Sequence, residues 1–156
     1  MILFDDEYFM RKALEQAEIA ASEGEVPVGA VAVMDGQIIA RAANQVEKLK
    51  DATAHAEMLV ISQAEAALKD WRLENVDIYV TKEPCAMCAG AMVNARVRRV
   101  VFGMPDSRSG ACGSALDITG FKGMLWNVEA KFGVLEPECR AIVQEFFQQV
   151  RKNKKS

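Results

Sequence analysis

Four side chains in two short motifs carry chemistry that could be combined in one site. His55 and Glu57 belong to the run Thr-Ala-His-Ala-Glu, and Cys85 and Cys88 belong to the run Glu-Pro-Cys-Ala-Met-Cys. Imidazole and thiolate groups are ligands that zinc prefers, and three protein ligands leave a fourth position open for water, as catalytic zinc sites do. His55, Cys85 and Cys88 are therefore predicted to bind one catalytic zinc ion.

Glu57 is predicted to carry protons rather than to serve as a fourth ligand. Zinc acidifies the water that it binds, so the next requirement of such a site is a group that moves the released proton. A carboxylate close to the metal supplies that group, and Glu57 lies only two residues from the histidine. The sequence thus predicts a site for hydrolysis.

Two helix N-termini are expected to position these residues. Thr53 suits an N-cap, and the residues that follow it favour a helix, which would put His55 and Glu57 in its first turn. Pro84 suits the first position of a second helix. Cys85 and Cys88 would then share one face near the positive end of the helix dipole, which favours thiolates.

Each half of this pattern has a simpler explanation on its own. A Cys-x-x-Cys pair can be a redox pair, which would predict a reducible disulfide between Cys85 and Cys88 and no metal. A single histidine is often only a structural hydrogen-bonding residue. A zinc-folded scaffold without activity is a further alternative, but a scaffold has no use for Glu57. Together, His-x-Glu and Pro-Cys-x-x-Cys form the known signature of zinc-dependent nucleobase deaminases, which favours catalysis.

The chain resembles the bacterial tRNA-specific adenosine deaminases of the cytidine-deaminase-like superfamily. The resemblance covers nearly the whole chain, through the two motifs above and the runs Glu-Val-Pro-Val-Gly-Ala at 25–30, Ala-Gly-Ala at 89–91, Arg-Val-Val-Phe-Gly at 99–103, Gly-Ala-Cys-Gly-Ser at 110–114 and the pair Phe146-Phe147. It implies a three-layer sandwich with a mixed five-stranded sheet and helices on both faces. It also implies a homodimer, one zinc ion per chain, and hydrolysis of adenosine to inosine at the wobble position of tRNA. The alternative substrate is a free nucleobase or nucleoside.

Five further residues are candidates for substrate binding. Asn44 follows a predicted strand, where an amide could both donate to and accept from a base edge, and the matching asparagine of the resembled family contacts the base. A turn-forming asparagine is the alternative. By the same resemblance, Val28 and Ala54 are expected to line the base pocket and Phe147 to lie near the RNA-binding rim. Asp106, in a polar loop, could line a substrate groove.

The sequence departs from that family at positions that bear on the substrate. Leu125-Trp126 replaces Asn-His, Ala43 replaces a tryptophan, and Ala52 replaces a proline. None of these positions belongs to the metal-binding motifs. They leave the choice between RNA and a free base open.

Hydrophobic patterning predicts an α/β fold in a single domain over residues 1–156. The predicted elements are a helix over 6–23, a hairpin of strands 28–34 and 37–43 around Asp35-Gly36, a helix over 54–69, a strand over 77–81, a helix over 85–94, strands over 97–102 and 126–132, and a helix from 137 onward. Residues 45–52 are predicted to form a surface loop. Residues 103–123 are predicted to form a loop that begins when Gly103 ends a strand and includes a short helical turn near 114–118.

Composition places the chain among globular proteins. It lacks a long apolar segment, and its N-terminus lacks the features of a signal peptide, so we expect a cytoplasmic protein with no membrane association. Cys112 and Cys139 are then expected to be free buried thiols rather than a disulfide. The net charge of −3 gives no general attraction to nucleic acid, but the basic C-terminus at 151–155 is either a frayed, solubilising tail or an RNA contact.

Overall fold

The computed structural model describes residues 4–155, which form ten elements. They are, in chain order, α1 (Asp6–Ser22), β1 (Gly29–Met34), β2 (Gln37–Ala43), α2 (Val46–Leu49), α3 (Ala56–Leu68), β3 (Asp77–Lys82), α4 (Ala86–Asn94), β4 (Arg99–Met104), β5 (Glu129–Lys131) and α5 (Glu136–Lys155).

The predicted three-layer arrangement with a mixed five-stranded sheet is confirmed. The strands lie in the order β2-β1-β3-β4-β5, antiparallel from β2 to β3 and parallel from β3 to β5. Side chains alternate across the strands, so Ile78 and Val80 join one core with α3 and α4, whereas Tyr79 and Val101 join a second core with α1 and α5. The sheet therefore separates the helices that carry the two motifs from the terminal helices.

The first helix and the hairpin form where their local sequences predict them. Asp5 caps α1 by accepting a hydrogen bond of 2.9 Å from the Tyr8 backbone N–H. Asp35 and Gly36 have φ values of 52° and 75°. Two successive positive φ angles are what a type I′ turn requires, which explains why Asp-Gly joins β1 to β2.

An ionic network anchors the start of α1 to the sheet. Asp6 receives hydrogen bonds from Tyr79 at 2.6 Å, Arg99 at 2.9 Å and Lys131 at 2.6 Å. Burial raises the pKa of Asp6, but the hydrogen bonds from Lys131, Tyr79 and Arg99 outweigh it and bring that pKa from 3.8 down to about 2. The carboxylate thus stabilises the contact between α1 and three strands.

Several predicted boundaries are wrong because tertiary contacts override local signals. Residues 45–52 contain the one-turn helix α2 rather than only a loop. Gly103 does not end its strand, since β4 continues to Met104, and a Cβ at Gly103 would collide with the Cys139 thiol of α5. The glycine is needed for this close approach of a helix, not for a turn.

The region after β4 also differs from its prediction. Residues 114–118 form no helical turn; Cys112 and Asp117 form an isolated antiparallel bridge instead. The last strand is limited to three residues because the backbone before it is engaged elsewhere: the Val128 N–H donates to the Thr119 carbonyl at 2.9 Å. Trp126 likewise donates its indole N–H to the Val97 carbonyl at 2.8 Å.

The structure shows the state of the two remaining cysteines and the conformation of the basic C-terminus. Cys112 and Cys139 are free and buried, and they belong to cores on opposite sides of the sheet, so they cannot form a disulfide with each other. The basic C-terminal residues continue α5 as far as Lys155. Within residues 4–155, no helix has both the length and the apolar character needed to cross a membrane.

Candidate active site

The N-termini of α3 and α4 bring the two motifs together. His55 is the N-cap of α3 and Cys85 is the N-cap of α4, so both helices begin later than predicted. Thr53 does not cap α3, because its hydroxyl donates to Asp51 at 2.7 Å, and Pro84 precedes the helix rather than opening it. The His55 side chain makes no capping hydrogen bond, which leaves it available to a ligand.

The three predicted ligands have the separation that a tetrahedral zinc site requires. His55 Nδ1 lies 3.7 Å from Cys85 Sγ and 3.5 Å from Cys88 Sγ, and the three ligand atoms all lie within 4.8 Å of one another. Bond lengths of about 2.05 Å to nitrogen and about 2.3 Å to sulfur, at a tetrahedral angle, give an N···S separation of about 3.6 Å. The donor set and its spacing therefore fit zinc.

The electrostatics of the site favour one thiolate. A hydrogen bond from Cys88 is the largest influence on Cys85, and with help from backbone N–H groups at the start of α4 it lowers the pKa of Cys85 to about 5. The same hydrogen bond, together with burial, raises the pKa of Cys88. Both thiols would be deprotonated on binding a metal, because a ligating sulfur must be a thiolate.

Glu57 lies beside the ligands and is almost fully buried, with 4% of its surface exposed. Burial is the largest influence and raises the pKa of its carboxyl group, while the backbone N–H of Glu57 and the nearby His55 act in the opposite direction. Cys88 also acts to lower that pKa, more weakly than burial raises it. A carboxyl group in this environment can exchange a proton with a bound molecule.

A cavity of about 450 Å³ opens over these groups. That volume is within the range of small-molecule sites. Its walls come from the loop before β1, from α2, from the end of β3 and from α5, and the lining side chains include Glu25, Val28, Asn44, Val46, His55, Glu57, Lys82, Cys85, Ser109, Phe146, Phe147 and Val150. The end of β3 and the last helix α5 thus lie on either side of the predicted metal ligands.

Asn44 has an unsatisfied acceptor at this cavity. Its Nδ2 donates to the Val26 carbonyl at 3.2 Å, and its Oδ1 is, within residues 4–155, the one buried side-chain oxygen or nitrogen without a partner. The amide cannot be reversed, because Oδ1 would then face the Val26 oxygen. A turn residue would not need such an acceptor, so the arrangement favours a ligand-binding role.

The other predicted substrate contacts are placed unevenly. Val28 and Phe147 line the cavity, and Phe147 is 41% exposed, as expected for a residue at a rim. Ala54 is buried beside His55 and does not line the cavity. The Asp106 carboxylate also lies outside the lining and pairs with Lys82 at 3.1 Å and Ser109 at 2.8 Å.

Two buried glutamates are functional candidates that motif reading did not single out. Glu25 accepts the backbone N–H groups of Glu47 at 3.0 Å and Lys48 at 2.7 Å, which holds α2 at the cavity. Glu83 accepts hydrogen bonds from the loop after β4. Each of these glutamates is the first residue of a proline-containing run, but only the fold shows which backbone N–H groups donate to it.

Comparison with known proteins places this architecture in a family. The profile of the family described as MafB19-like deaminase matches residues 4–151. The tRNA-specific adenosine deaminase of Bacillus subtilis (strain 168) is 47% identical over 151 residues, which span 97% of this chain and 94% of that relative. This chain belongs to the tRNA-specific adenosine deaminase family.

Solved structures agree with membership of the tRNA-specific adenosine deaminase family. A structure from a study of A-to-I editing by tRNA:A34 deaminases at the wobble position of transfer RNA has a TM-score of 0.84 and 42% identity, over 86% of this chain and 98% of that one. A guanine deaminase from Bacillus subtilis has a TM-score of 0.64 and 34% identity over 71% of each chain. The deaminase fold is thus common to both substrate classes, and of these two structures the one from the tRNA:A34 deaminase study has the higher identity and TM-score.

The departures from the tRNA-specific adenosine deaminase pattern do not line the cavity. Leu125 is 102% exposed, Trp126 is held by its bond to Val97, Ala43 is buried and Ala52 lies on the surface. They leave the groups around His55 and Glu57 intact. None of these four side chains therefore contributes to the cavity surface itself.

Proposed function

We propose that this protein is a zinc-dependent hydrolase that converts adenosine to inosine at the wobble position of tRNA. The observation that carries the proposal is the convergence of His55, Cys85 and Cys88 at tetrahedral spacing, with the buried Glu57 carboxyl group beside them at a cavity. Family membership supports the substrate, since relatives that match nearly the full chain are named as tRNA-specific adenosine deaminases.

His55 Nδ1 and the thiolates of Cys85 and Cys88 would hold one zinc ion per chain. When bound, the ion supplies Lewis acidity that makes water a competent nucleophile near neutral pH. The two helix N-termini contribute positive potential that stabilises the thiolates. The low pKa of Cys85 supports its role as a ligand, because a ligating thiol must be deprotonated.

Glu57 moves the protons of the reaction. Its carboxylate takes one proton from the attacking water as the new C–O bond forms at C6, and it delivers that proton to N1 of the purine. It then takes the proton of the new hydroxyl group at C6 and transfers it to the amino group on the same carbon, so the C–N bond breaks, ammonia leaves and C6 becomes a carbonyl. Adenosine and water thus give inosine and ammonia. Burial of Glu57 supports this role, since it eases protonation of the carboxyl group between the two transfers.

Asn44 would orient the base within the cavity. Its unpaired Oδ1 can accept a hydrogen bond from an N–H or O–H group of the substrate, while Nδ2 stays fixed by Val26. Because Oδ1 is buried in the free chain, the base reaches it only when the surrounding side chains adjust slightly. Val28 would pack against the base and Phe147 against the nucleotide at the rim, and we retain Ala54 and Asp106 as predicted neighbours of the substrate.

The anticodon loop of tRNA would supply the adenosine. A loop base is unpaired, so it can enter a pocket at low cost in stacking energy. Arg151, Lys152 and Lys154 extend from α5, the helix whose Phe146 and Phe147 line the cavity, and a basic helix end there suits a phosphate backbone. This placement favours the RNA-contact interpretation of the basic tail over a purely solubilising one.

We further propose that residues 1–156 act as a single deaminase domain, that two chains form a homodimer, and that the protein works in the cytoplasm without membrane association. One continuous sheet supports the single domain. Exposed apolar side chains, among them Leu116, Phe121 and Leu125, support a partner surface.

The test is to incubate the zinc-loaded protein with an anticodon stem-loop that carries adenosine at the wobble position, and separately with free guanine, cytosine and adenine. We expect inosine in the stem-loop, detected by nuclease digestion and mass spectrometry. Glu57→Gln should lower kcat by roughly 10²- to 10⁴-fold without loss of zinc, because it keeps the shape of the side chain and removes its proton transfer.

The matched control is Glu65→Gln on the same helix, because Glu65 lies outside the cavity lining. We expect it to retain full activity. Deamination of free bases without reaction of the RNA would replace the proposed substrate by the alternative. Near-normal activity of Glu57→Gln would contradict the assigned proton transfer.

A further inference from the structure

Glu83 has a buried side chain that the proposed chemistry does not use. Only 3% of its surface is exposed. Its carboxylate accepts hydrogen bonds from the backbone N–H groups of Asp106 at 2.9 Å, Cys112 at 3.0 Å and Ser114 at 3.2 Å, and from the Ser114 hydroxyl. One side chain therefore satisfies the backbone of a loop more than 20 residues away in sequence.

These bonds fix the loop segment 106–114, which we call the wall segment, against the cavity. Ser109 of the wall segment lines the cavity together with Lys82 and Glu83 itself. A second contact is the hydrogen bond from the Ala111 N–H to the Pro84 carbonyl at 2.8 Å, and a third is the ion pair between Lys82 and Asp106. All three contacts are made by residues 82–84, directly before the ligand Cys85.

The packing around the carboxylate leaves no space for a side chain at Gly110. A Cβ at Gly110 would collide with the carboxyl carbon and one carboxyl oxygen of Glu83. The wall segment thus passes Glu83 at the closest approach that a backbone allows. Such a contact fixes both the distance and the orientation of the loop.

We propose that Glu83 is a positioning residue that holds the wall segment in place as one side of the substrate cavity. This inference rests on the proposed function, because the wall it positions is useful only if a nucleotide binds there. The residue acts through the loop and does not touch the reacting atoms. Its removal should weaken substrate binding more than turnover.

The chemistry of the contact explains why a carboxylate is required. All four groups that face Glu83 are donors, and an ionised carboxylate is a pure acceptor with room for four hydrogen bonds. A glutamine of the same shape would point an NH₂ group at backbone N–H donors. Glu83→Gln therefore removes acceptors with almost no change in volume.

The test compares Glu83→Gln with Asp77→Asn in the zinc-loaded protein. Asp77 is the matched control, since it is a buried carboxylate at the opposite end of β3 and pairs with Arg98 and Arg99 away from the cavity. For Glu83→Gln we expect KM for the anticodon stem-loop to rise roughly tenfold or more, because small misplacement of a binding wall is costly. We expect kcat within about threefold of wild type by the same argument, since Glu57 stays in place.

A second measurement follows the loop directly. Amide hydrogen exchange at Asp106, Cys112 and Ser114 should become faster in Glu83→Gln and stay unchanged in Asp77→Asn, while zinc content is the same in all proteins. An unchanged KM, or a loss of zinc from Glu83→Gln, would overturn the proposal. If Glu83→Gln does not fold, Gly110→Ala decides, because its Cβ would meet both the Glu83 carboxylate and the Asp106 carbonyl and so displace the wall segment. We expect the same rise in KM, and an unchanged KM would overturn the proposal.

The wild-type protein separates the two hypotheses. If it deaminates a free base and not the RNA, the proposed substrate is wrong, and the KM comparison is made with that base. If the wild-type protein deaminates none of the substrates, both the function and the positioning role are refuted. A higher KM for both Glu83→Gln and Asp77→Asn would mean that general destabilisation explains the effect, and would also overturn the role of Glu83.

Discussion

Replacing Asn44 by alanine should separate activity from stability. In the free chain, the buried Oδ1 without a partner costs about 1–3 kcal/mol, and the substitution removes that cost. It also removes the hydrogen bond from Nδ2 to the Val26 carbonyl, which contributes about 0.5–1.5 kcal/mol, and it leaves a small cavity. These effects oppose one another, so the free energy of unfolding should change by no more than about 1 kcal/mol.

Catalysis should respond differently to the same substitution. In the wild-type protein a substrate N–H or O–H group would donate to Oδ1. In Asn44→Ala that group has no hydrogen-bond partner inside a desolvated pocket, which costs about 1.5–3 kcal/mol. By the relation of about 1.4 kcal/mol per factor of ten, kcat/KM for the anticodon stem-loop should fall roughly 10- to 140-fold.

The assay pairs inosine formation by the zinc-loaded protein with chemical denaturation of the same samples. Asn127→Ala is the matched control, because Asn127 donates to the Thr119 and Phe121 carbonyls and does not line the cavity. We expect it to lose stability and keep kcat/KM. The reverse pattern for Asn44→Ala, with stability clearly lowered and kcat/KM unchanged, would show that Asn44 is only a turn residue.

Three further perturbations follow from the structure. His55→Ala should yield substoichiometric zinc by metal analysis, and a full complement would refute the ligand set. Asp6→Asn should lower the free energy of unfolding at pH 7 by about 1–2 kcal/mol after allowance for solvent screening. Because the pKa of Asp6 is lowered, its stabilisation is present above the unfolded value of 3.8 and is lost as the pH falls through about 2, so denaturation at matched pH should show the two proteins converging there. An equal difference in the free energy of unfolding between the two proteins at pH 7 and near pH 2 would show that the Asp6 carboxylate does not stabilise the fold. Gly103→Ala should cost about 1–3 kcal/mol and lower Tm by several degrees, because the added Cβ meets Cys139; an unchanged Tm would mean that α5 can shift freely.

The types of residue in the site could be predicted from sequence because metal chemistry restricts them. Only a few side chains bind zinc, and His55, Cys85 and Cys88 occur in motifs that few other functions require. The β1–β2 turn was equally predictable, since Asp35-Gly36 needs only local backbone preferences. The number of strands and the mixed character of the sheet, by contrast, were implied by the family resemblance, and the strand order came only from the structure.

Contacts between distant segments could not be predicted in the same way. The helix after Thr53 favours a local N-cap, yet His55 takes that position and presents its ring to two sulfurs that come from another helix. Glycine is typical of a strand end, and only the close approach of α5 explains why Gly103 lies inside a strand. Local propensity is worth a few tenths of a kcal/mol to about 1 kcal/mol per residue, so packing readily overrides it.

The sequence by itself determined the reactive groups: one imidazole, two thiols and one carboxyl group, in spacings suited to a zinc hydrolase. Only the tertiary structure decided how these groups are supported. It brought Asn44 to the cavity with an unpaired acceptor and placed Glu83 against the backbone of a distant loop. The physical reason is that ligand chemistry depends on residue type, whereas hydrogen bonding of a buried group depends on which backbone donors the fold brings within 3 Å or so of it.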